Sequence, residues 1–192
     1  QGNETSHTFY VTEVGTTTFY PLTRDVNTYD RNNRIVLKST WGWNGQENKL
    51  TETGRIHYRY GTGGAADSVL TTRKDAATGQ FLNGSLQTNK YNADGEVIEW
   101  LFHSWENQKW KPQFGEKFIR TGSTKGIYHE ELYQVYRNTG WSDASKRVNT
   151  FTNGRVTEHI SYSLFSGAWK PMSRHYNYTY RSSNAPEHLD VS

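Results

Sequence analysis

The sequence predicts an all-β chain of about twelve antiparallel strands. They fall in three four-stranded repeats, laid out as an extended, twisted meander sheet. Three observations carry this. First, a turn signature recurs: Tyr29-Asp30-Arg31-Asn32-Asn33-Arg34-Ile35, Tyr91-Asn92-Ala93-Asp94-Gly95-Glu96-Val97 and Phe151-Thr152-Asn153-Gly154-Arg155-Val156. Ile35 lies 62 residues before Val97, and Val156 lies 59 residues after it. Asn and Gly between extended runs supply the positive φ that hairpin turns need. Second, the flanking runs alternate with a period of two and are rich in Thr, Tyr, Trp and Val. Third, no segment of useful length shows helical periodicity with caps.

Taken in order, residues 1–7 are polar and read as a flexible N-terminus. Thr8 to Thr12 and Thr16 to Tyr20 are strand-like, with a bend at Val14-Gly15. Pro21 marks an edge or a bulge, because proline cannot donate to a ladder. After each signature turn comes a strand whose alternate residues share a face. These are Ile35, Leu37, Ser39, Trp41 and Trp43; then Val97, Glu99, Leu101, His103 and Trp105; then Val156, Glu158, Ile160, Tyr162 and Leu164. That face is largely apolar in all three. The opposite face is mostly polar in the first and third copies, but in the second it carries Ile98, Trp100 and Phe102.

Short turns follow, and then Trp110-Lys111-Pro112 and Trp169-Lys170-Pro171 open the next strands. Ile56, Tyr58 and Tyr60, and in the third copy Tyr176, Tyr178 and Tyr180, alternate with polar residues. Gly61 to Gly64 and Gly122 to Gly126 close the units. Strands are expected over Ser68 to Arg73 and Ile127 to Tyr136, with partners starting near Phe81 and Trp141. The expected domain is residues 8–182, with units 8–62, 68–122 and 126–182. Residues 183–192, with Pro186 and an acidic end, read as a tail. Three four-stranded units also fit a β-trefoil or a β-prism, but strands of about ten residues exceed the usual five or six and favour the meander.

Composition narrows the function. The chain has 192 residues, 33% hydrophobic and 15% aromatic, with a mean hydropathy of -0.93. This suits sheets with solvated faces and aromatic contacts. The net charge is +3, with Lys and Arg interspersed among Asp and Glu, so no nucleic-acid stripe forms. Cysteine is absent, which removes disulfides and thiol chemistry. No apolar run reaches the ~18 residues of a membrane helix, so no membrane insertion is expected. The start at Gln1 fits a mature end after signal-peptide removal.

No His-Glu-x-x-His, Gly-x-Ser-x-Gly or phosphate-loop motif occurs. No catalytic residue, metal or cofactor is therefore expected. The candidate contact residues are aromatic: Trp100, Phe102, Trp105, Trp110, Trp41 and Trp43. Trp100 stands out because its counterparts are Lys38 and His159. An open sheet also leaves two edges needing protection or a partner. Asn3-Glu4-Thr5, Asn83-Gly84-Ser85 and Asn177-Tyr178-Thr179 fit the N-glycosylation triplet.

Tyr29-Asp30, Tyr91-Asn92, Trp105, Trp110, Trp169 and Tyr176 to Tyr180 carry a resemblance. The chain resembles the secreted tyrosine- and tryptophan-rich repeat proteins of Bacteroidota, and more loosely the YD-repeat proteins of bacterial surfaces. The resemblance implies a secreted or cell-surface β-repeat protein. Phe151-Thr152 departs from the Tyr-Asp form, and no lipid-anchor Cys is present. Asp67-Ser68-Val69 resembles the O-glycosylation motif of Bacteroidota secreted proteins, which makes Ser68 the candidate modification site. The expected function is structural or self-assembling and non-enzymatic, with the chain itself or another surface protein as partner. A carbohydrate-binding module using exposed Trp and Tyr is the alternative, with glycans as partners.

Overall fold

The computed structural model describes the backbone of residues 3–12, 14–124, 126–180 and 186–191, and side chains as far as residue 176. The described residues form thirteen strands. They are β1 (Ser6–Thr12), β2 (Phe19–Tyr29), β3 (Ile35–Asn44), β4 (Lys49–Tyr60), β5 (Ala66–Lys74), β6 (Phe81–Tyr91), β7 (Val97–Glu106), β8 (Lys109–Thr124), β9 (Ile127–Arg137), β10 (Gly140–Thr152), β11 (Arg155–Phe165), β12 (Ala168–Tyr180) and β13 (Pro186–Val191). They follow chain order in one open sheet, and no barrel or trefoil closure occurs. The extra strand is β13, which pairs antiparallel with β12 through His175↔Val191 and Tyr176↔Asp190. The stretch read as a tail is therefore a strand, because a backbone ladder accepts Pro at its first residue and charged residues along an edge.

The N-terminal expectation is also corrected. Thr5 O accepts the Asn27 amide at 2.8 Å, Glu4 O accepts the Tyr29 hydroxyl at 2.7 Å, and β1 begins at Ser6. Main-chain and side-chain bonds to β2 hold a segment whose polarity alone suggested freedom.

Two compact units divide the chain: residues 1–96 with 102–112, and residues 97–101 with 113–192. The first two signature turns share one geometry. Asp30 Oδ1 accepts the amides of Asn32 and Arg34 at 2.9 and 3.0 Å. Asn92 Oδ1 accepts those of Asp94 and Glu96 at 3.0 and 2.9 Å. The left-handed position is Asn33 at φ 65° in one and Gly95 at φ 81° in the other. The third turn is a tighter two-residue hairpin, Asn153-Gly154, at φ 52° and 73°, as a mirror-image turn requires.

Most ladders contain one register shift. Pro21 sits at the shift between Phe9 and Tyr10, and Pro171 at the one between Ser161 and Tyr162. Bulges absorb a residue that cannot donate and add local twist.

Packing differs from that of a layered domain. Among the described side chains only Val156, Thr72 and Glu99 are buried. All ten residues of β3 are half-buried, those of its polar face included. The alternation read from sequence therefore sets direction, but neither face is sealed. Cross-strand neighbours do the covering. Guanidinium groups lie over rings: Arg34 over Tyr60 at 4.3 Å, Arg55 over Phe81 at 3.9 Å and Arg120 over Tyr128 at 4.8 Å. The scattered Arg residues thus cover aromatic faces that a core would otherwise bury.

Candidate functional site

Within the first unit, the β3–β4 hairpin runs further than its β5 neighbour. Its ladder continues through Trp41↔Glu52, Gly42↔Thr51 and Trp43↔Leu50 to Asn44↔Lys49, whereas β4 meets β5 only from Gly54↔Arg73 onward. A groove of about 730 Å³ occupies the resulting gap, with Trp41 in its wall. The Trp41 indole nitrogen is buried and lacks a hydrogen-bond partner.

The carboxylates around this groove are already engaged. Arg55 donates two bonds to Glu52, at 2.8 and 2.9 Å. These bonds above all hold the Glu52 carboxyl below the ordinary range for glutamate. Asp75 Oδ1 accepts the amides of Ala77 and Thr78 at 3.2 and 2.8 Å and the Thr78 hydroxyl at 2.8 Å. The Thr78 amide, then its hydroxyl, pulls the Asp75 carboxyl down. Glu47 pairs with Lys49 at 3.0 Å. Arg73 and Lys74 are exposed, and they act on Asp75 and Glu52 through longer-range attraction rather than a direct ion pair.

The other candidates are dispersed. Trp43 is half-buried on β3 beside Trp41. In the same unit, Trp105 packs edge-on against Trp110 at 4.8 Å, and Trp105 is 37% exposed. Phe102 is half-buried. In the second unit, Trp100 donates its indole N–H to Glu116 at 3.0 Å and meets Phe114 edge-on at 5.7 Å. Tyr133 donates its hydroxyl to the other Glu116 oxygen at 2.8 Å. Trp100 and Tyr133 together clamp the Glu116 carboxylate. Ser68 stands within β5, half-buried, and is paired with Arg59 on one side and Thr88 on the other. The Asn177 triplet, with Tyr178 and Tyr180, lies beyond the described side chains.

Sequence reading missed one recurrent device. Asn27, Asn89 and Asn149 each precede the signature aromatic by two residues. Each donates its side-chain amide to a backbone carbonyl: Glu4 at 3.3 Å, Ala66 at 2.8 Å and Tyr128 at 2.7 Å. Tyr91 adds a second bond to Ala66 O at 2.9 Å. The spacing Asn-x-aromatic was legible, but only the fold shows which carbonyl it serves.

The third of these amides continues into a histidine pair. His159 contacts Asn149 Oδ1 at 2.8 Å through Nδ1 and Ser161 Oγ at 3.1 Å through Nε2. His175 stands opposite it, ring centroids 5.9 Å apart. Burial, then the charge of His175 and of Arg147, lowers the His159 pKa below its ordinary value. The unfolded chain therefore takes up this proton more readily. The stability gained from neutral His159 is full above about pH 6.5 and is lost as pH falls below it. The melting temperature of the wild type is expected to drop more between neutral pH and mild acid than that of His159→Gln. Parallel curves in a thermal-shift series would exclude this.

No group of three metal-ligating side chains occurs among the described residues, and among them no helix is long and apolar enough to cross a membrane. Neither a protein-family model nor a curated protein sequence matches the chain. Solved structures do show likenesses. One is a protein of unknown function from Bacteroides fragilis, 11% identical with a TM-score of 0.38, covering 81% of this chain and 91% of that one. A porin-like protein from Bacteroides uniformis is 9% identical with a TM-score of 0.30, covering 88% and 94%. A DUF3836 family protein from Parabacteroides distasonis is 18% identical with a TM-score of 0.26, covering 42% and 72%.

Proposed function

We propose that this chain is an exported, non-enzymatic β-sheet protein that assembles with a second copy of itself through β1. One observation carries the reading: β1 is an open edge without the usual protection. Among the described residues its only neighbour in the sheet is β2. Its sequence, Ser6 to Thr12, contains no Lys, Arg, Asp, Glu or Pro. Phe9 and Tyr10 are 54% and 53% exposed, and Phe19 on β2 is 67% exposed. Natural edges are normally blunted by charge or proline. The sequence of β13, by contrast, includes Pro186, Glu187 and Asp190.

The two ends differ, so head-to-tail growth would have to use a protected edge. Pairing of β1 with β1 closes the contact in a two-fold dimer and brings the exposed aromatic residues of both copies beside the shared edge. The engaged state of Glu52, Glu116 and Glu131 favours a structural role. Glu131 is held by Arg120 at 2.7 Å. Export is part of the reading through the resemblance to secreted repeat proteins.

Sedimentation equilibrium tests the assembly. The wild type is expected to be dimeric at micromolar concentration. Combining Tyr10→Lys with Val11→Lys puts like charges across the shared edge and is expected to raise the dissociation constant roughly tenfold or more. A wild type that stays monomeric at high concentration, or a double variant that dimerises as well as wild type, would sink the proposal.

A further inference from the structure

The groove beside β4 differs in kind from a pocket on a sheet face. All five successive residues 49–53 line it, together with residues 73–76 at the end of β5. Side chains alternate along a strand, so a pocket over one face would take every second residue. Five in succession bring the groove to the free edge of β4, while Trp41 and Asn44 of β3 also line it. Among the described residues the backbone on that side has no strand opposite it, because the β4–β5 ladder stops at Gly54↔Arg73. Beyond this rung the chain turns away at Asp75, whose amide bonds to Gln80 O at 2.8 Å while Gly79 N bonds to Asp75 O at 2.9 Å. That turn leaves a slot one strand wide and five residues long, about 17 Å at the usual rise.

Charge narrows the occupant. Glu47, Glu52 and Asp75 are spent on Lys49, Arg55 and the Thr78 turn. The cations Arg73 and Lys74 are exposed at the slot's end and, among the described residues, attract Asp75 and Glu52 only at longer range than a direct ion pair. As neighbours in a strand they point to opposite faces. Two successive acidic residues of an added strand also point to opposite faces and meet one cation each.

We propose that this slot binds an extended acidic peptide segment of a partner protein, added as a strand along residues 49–53, with adjacent carboxylates on Arg73 and Lys74. Main-chain bonds to the open edge supply affinity, and the two cations choose the register. The slot is independent of the β1 edge.

The probe is an acetylated, amidated hexapeptide of threonine and valine with a central Asp-Glu pair. Binding is read by fluorescence anisotropy and by amide hydrogen exchange. Saturable binding that weakens with salt is expected, with exchange at residues 49–53 slowed roughly tenfold or more in the complex. Combining Arg73→Glu with Lys74→Glu is expected to weaken binding roughly tenfold or more. Both side chains are exposed, and circular dichroism checks that the sheet persists. The Tyr10→Lys, Val11→Lys protein is expected to bind the peptide like wild type, which separates this proposal from the dimer. Three results would overturn it: no saturable binding, undiminished binding by the charge-reversed protein, or protection that maps away from residues 49–53. Oligogalacturonate serves as the competing polyanion. If it binds as tightly as the peptide and leaves those amides exchanging freely, the cations serve an acidic glycan and the strand-addition proposal fails.

Discussion

Gly115→Ala is expected to lower the melting temperature more than any other single methyl addition considered in this sheet. A Cβ at Gly115 would collide with the Trp100 carbonyl oxygen and lie 2.9 Å from Leu101 Cδ2 and 3.1 Å from Leu101 Cα. Two of these are backbone atoms of β7, so relief requires β7 and β8 to part locally. Overpacking of this kind costs about 1–3 kcal/mol, and for a chain of this size each kcal/mol lowers the melting temperature by about 2–4 °C. Gly45→Ala is the control, because nothing stands within 4 Å of its Cβ position. Differential scanning calorimetry of the two variants decides. Equal melting temperatures would show that the β7–β8 approach is not as close as described.

The second large effect centres on Glu116. Its two oxygens accept the Trp100 indole N–H and the Tyr133 hydroxyl, so one carboxylate ties β7 and β9 to β8. Glu116→Ala leaves both half-buried donors without their acceptor. A bond to a charged group contributes about 1.5–3 kcal/mol, and the loss here is expected to be about 2–3 kcal/mol. Glu116→Gln keeps an acceptor and is expected to recover part of it. Tyr133 provides a second readout. Burial first, and then the bond and charge of Glu116, push its pKa above the ordinary value. The folded chain thus resists tyrosine ionisation, and the stability from neutral Tyr133 is present below about pH 10 and lost as pH rises through the folded value. Ultraviolet titration of Glu116→Ala should show one tyrosine ionising at lower pH than in wild type. An unchanged titration together with unchanged stability would remove Glu116 from this role.

Both predictions fall on β7 and β8. Trp100 stood out in sequence because Lys38 and His159 occupy the equivalent places, and that contrast is real. In the structure that indole donates to Glu116, sixteen residues away, a bond that no local pattern contains. Glu99 shows the same limit. It sits on the face read as apolar, is 8% exposed, and has Lys117 Nζ at 3.8 Å.

Sequence alone determined the elements. Positive-φ turns at Gly95, Asn33 and Asn153-Gly154 stand where Asn, Asp and Gly were read as punctuation. Strands at Ala66–Lys74, Phe81–Tyr91 and Ile127–Arg137 stand where alternation placed them. Turn chemistry and a period of two act over four to ten residues, so they are written locally. Tertiary structure alone decided what no local rule reaches. It set where one hairpin outruns its neighbour and opens the edge of β4, which carbonyls the recurrent Asn residues serve, and that Pro186–Val191 closes the sheet as β13. These depend on register between strands, and register is fixed by the sum of many weak cross-strand contacts. In a sheet with so little buried apolar surface, no single residue announces that sum.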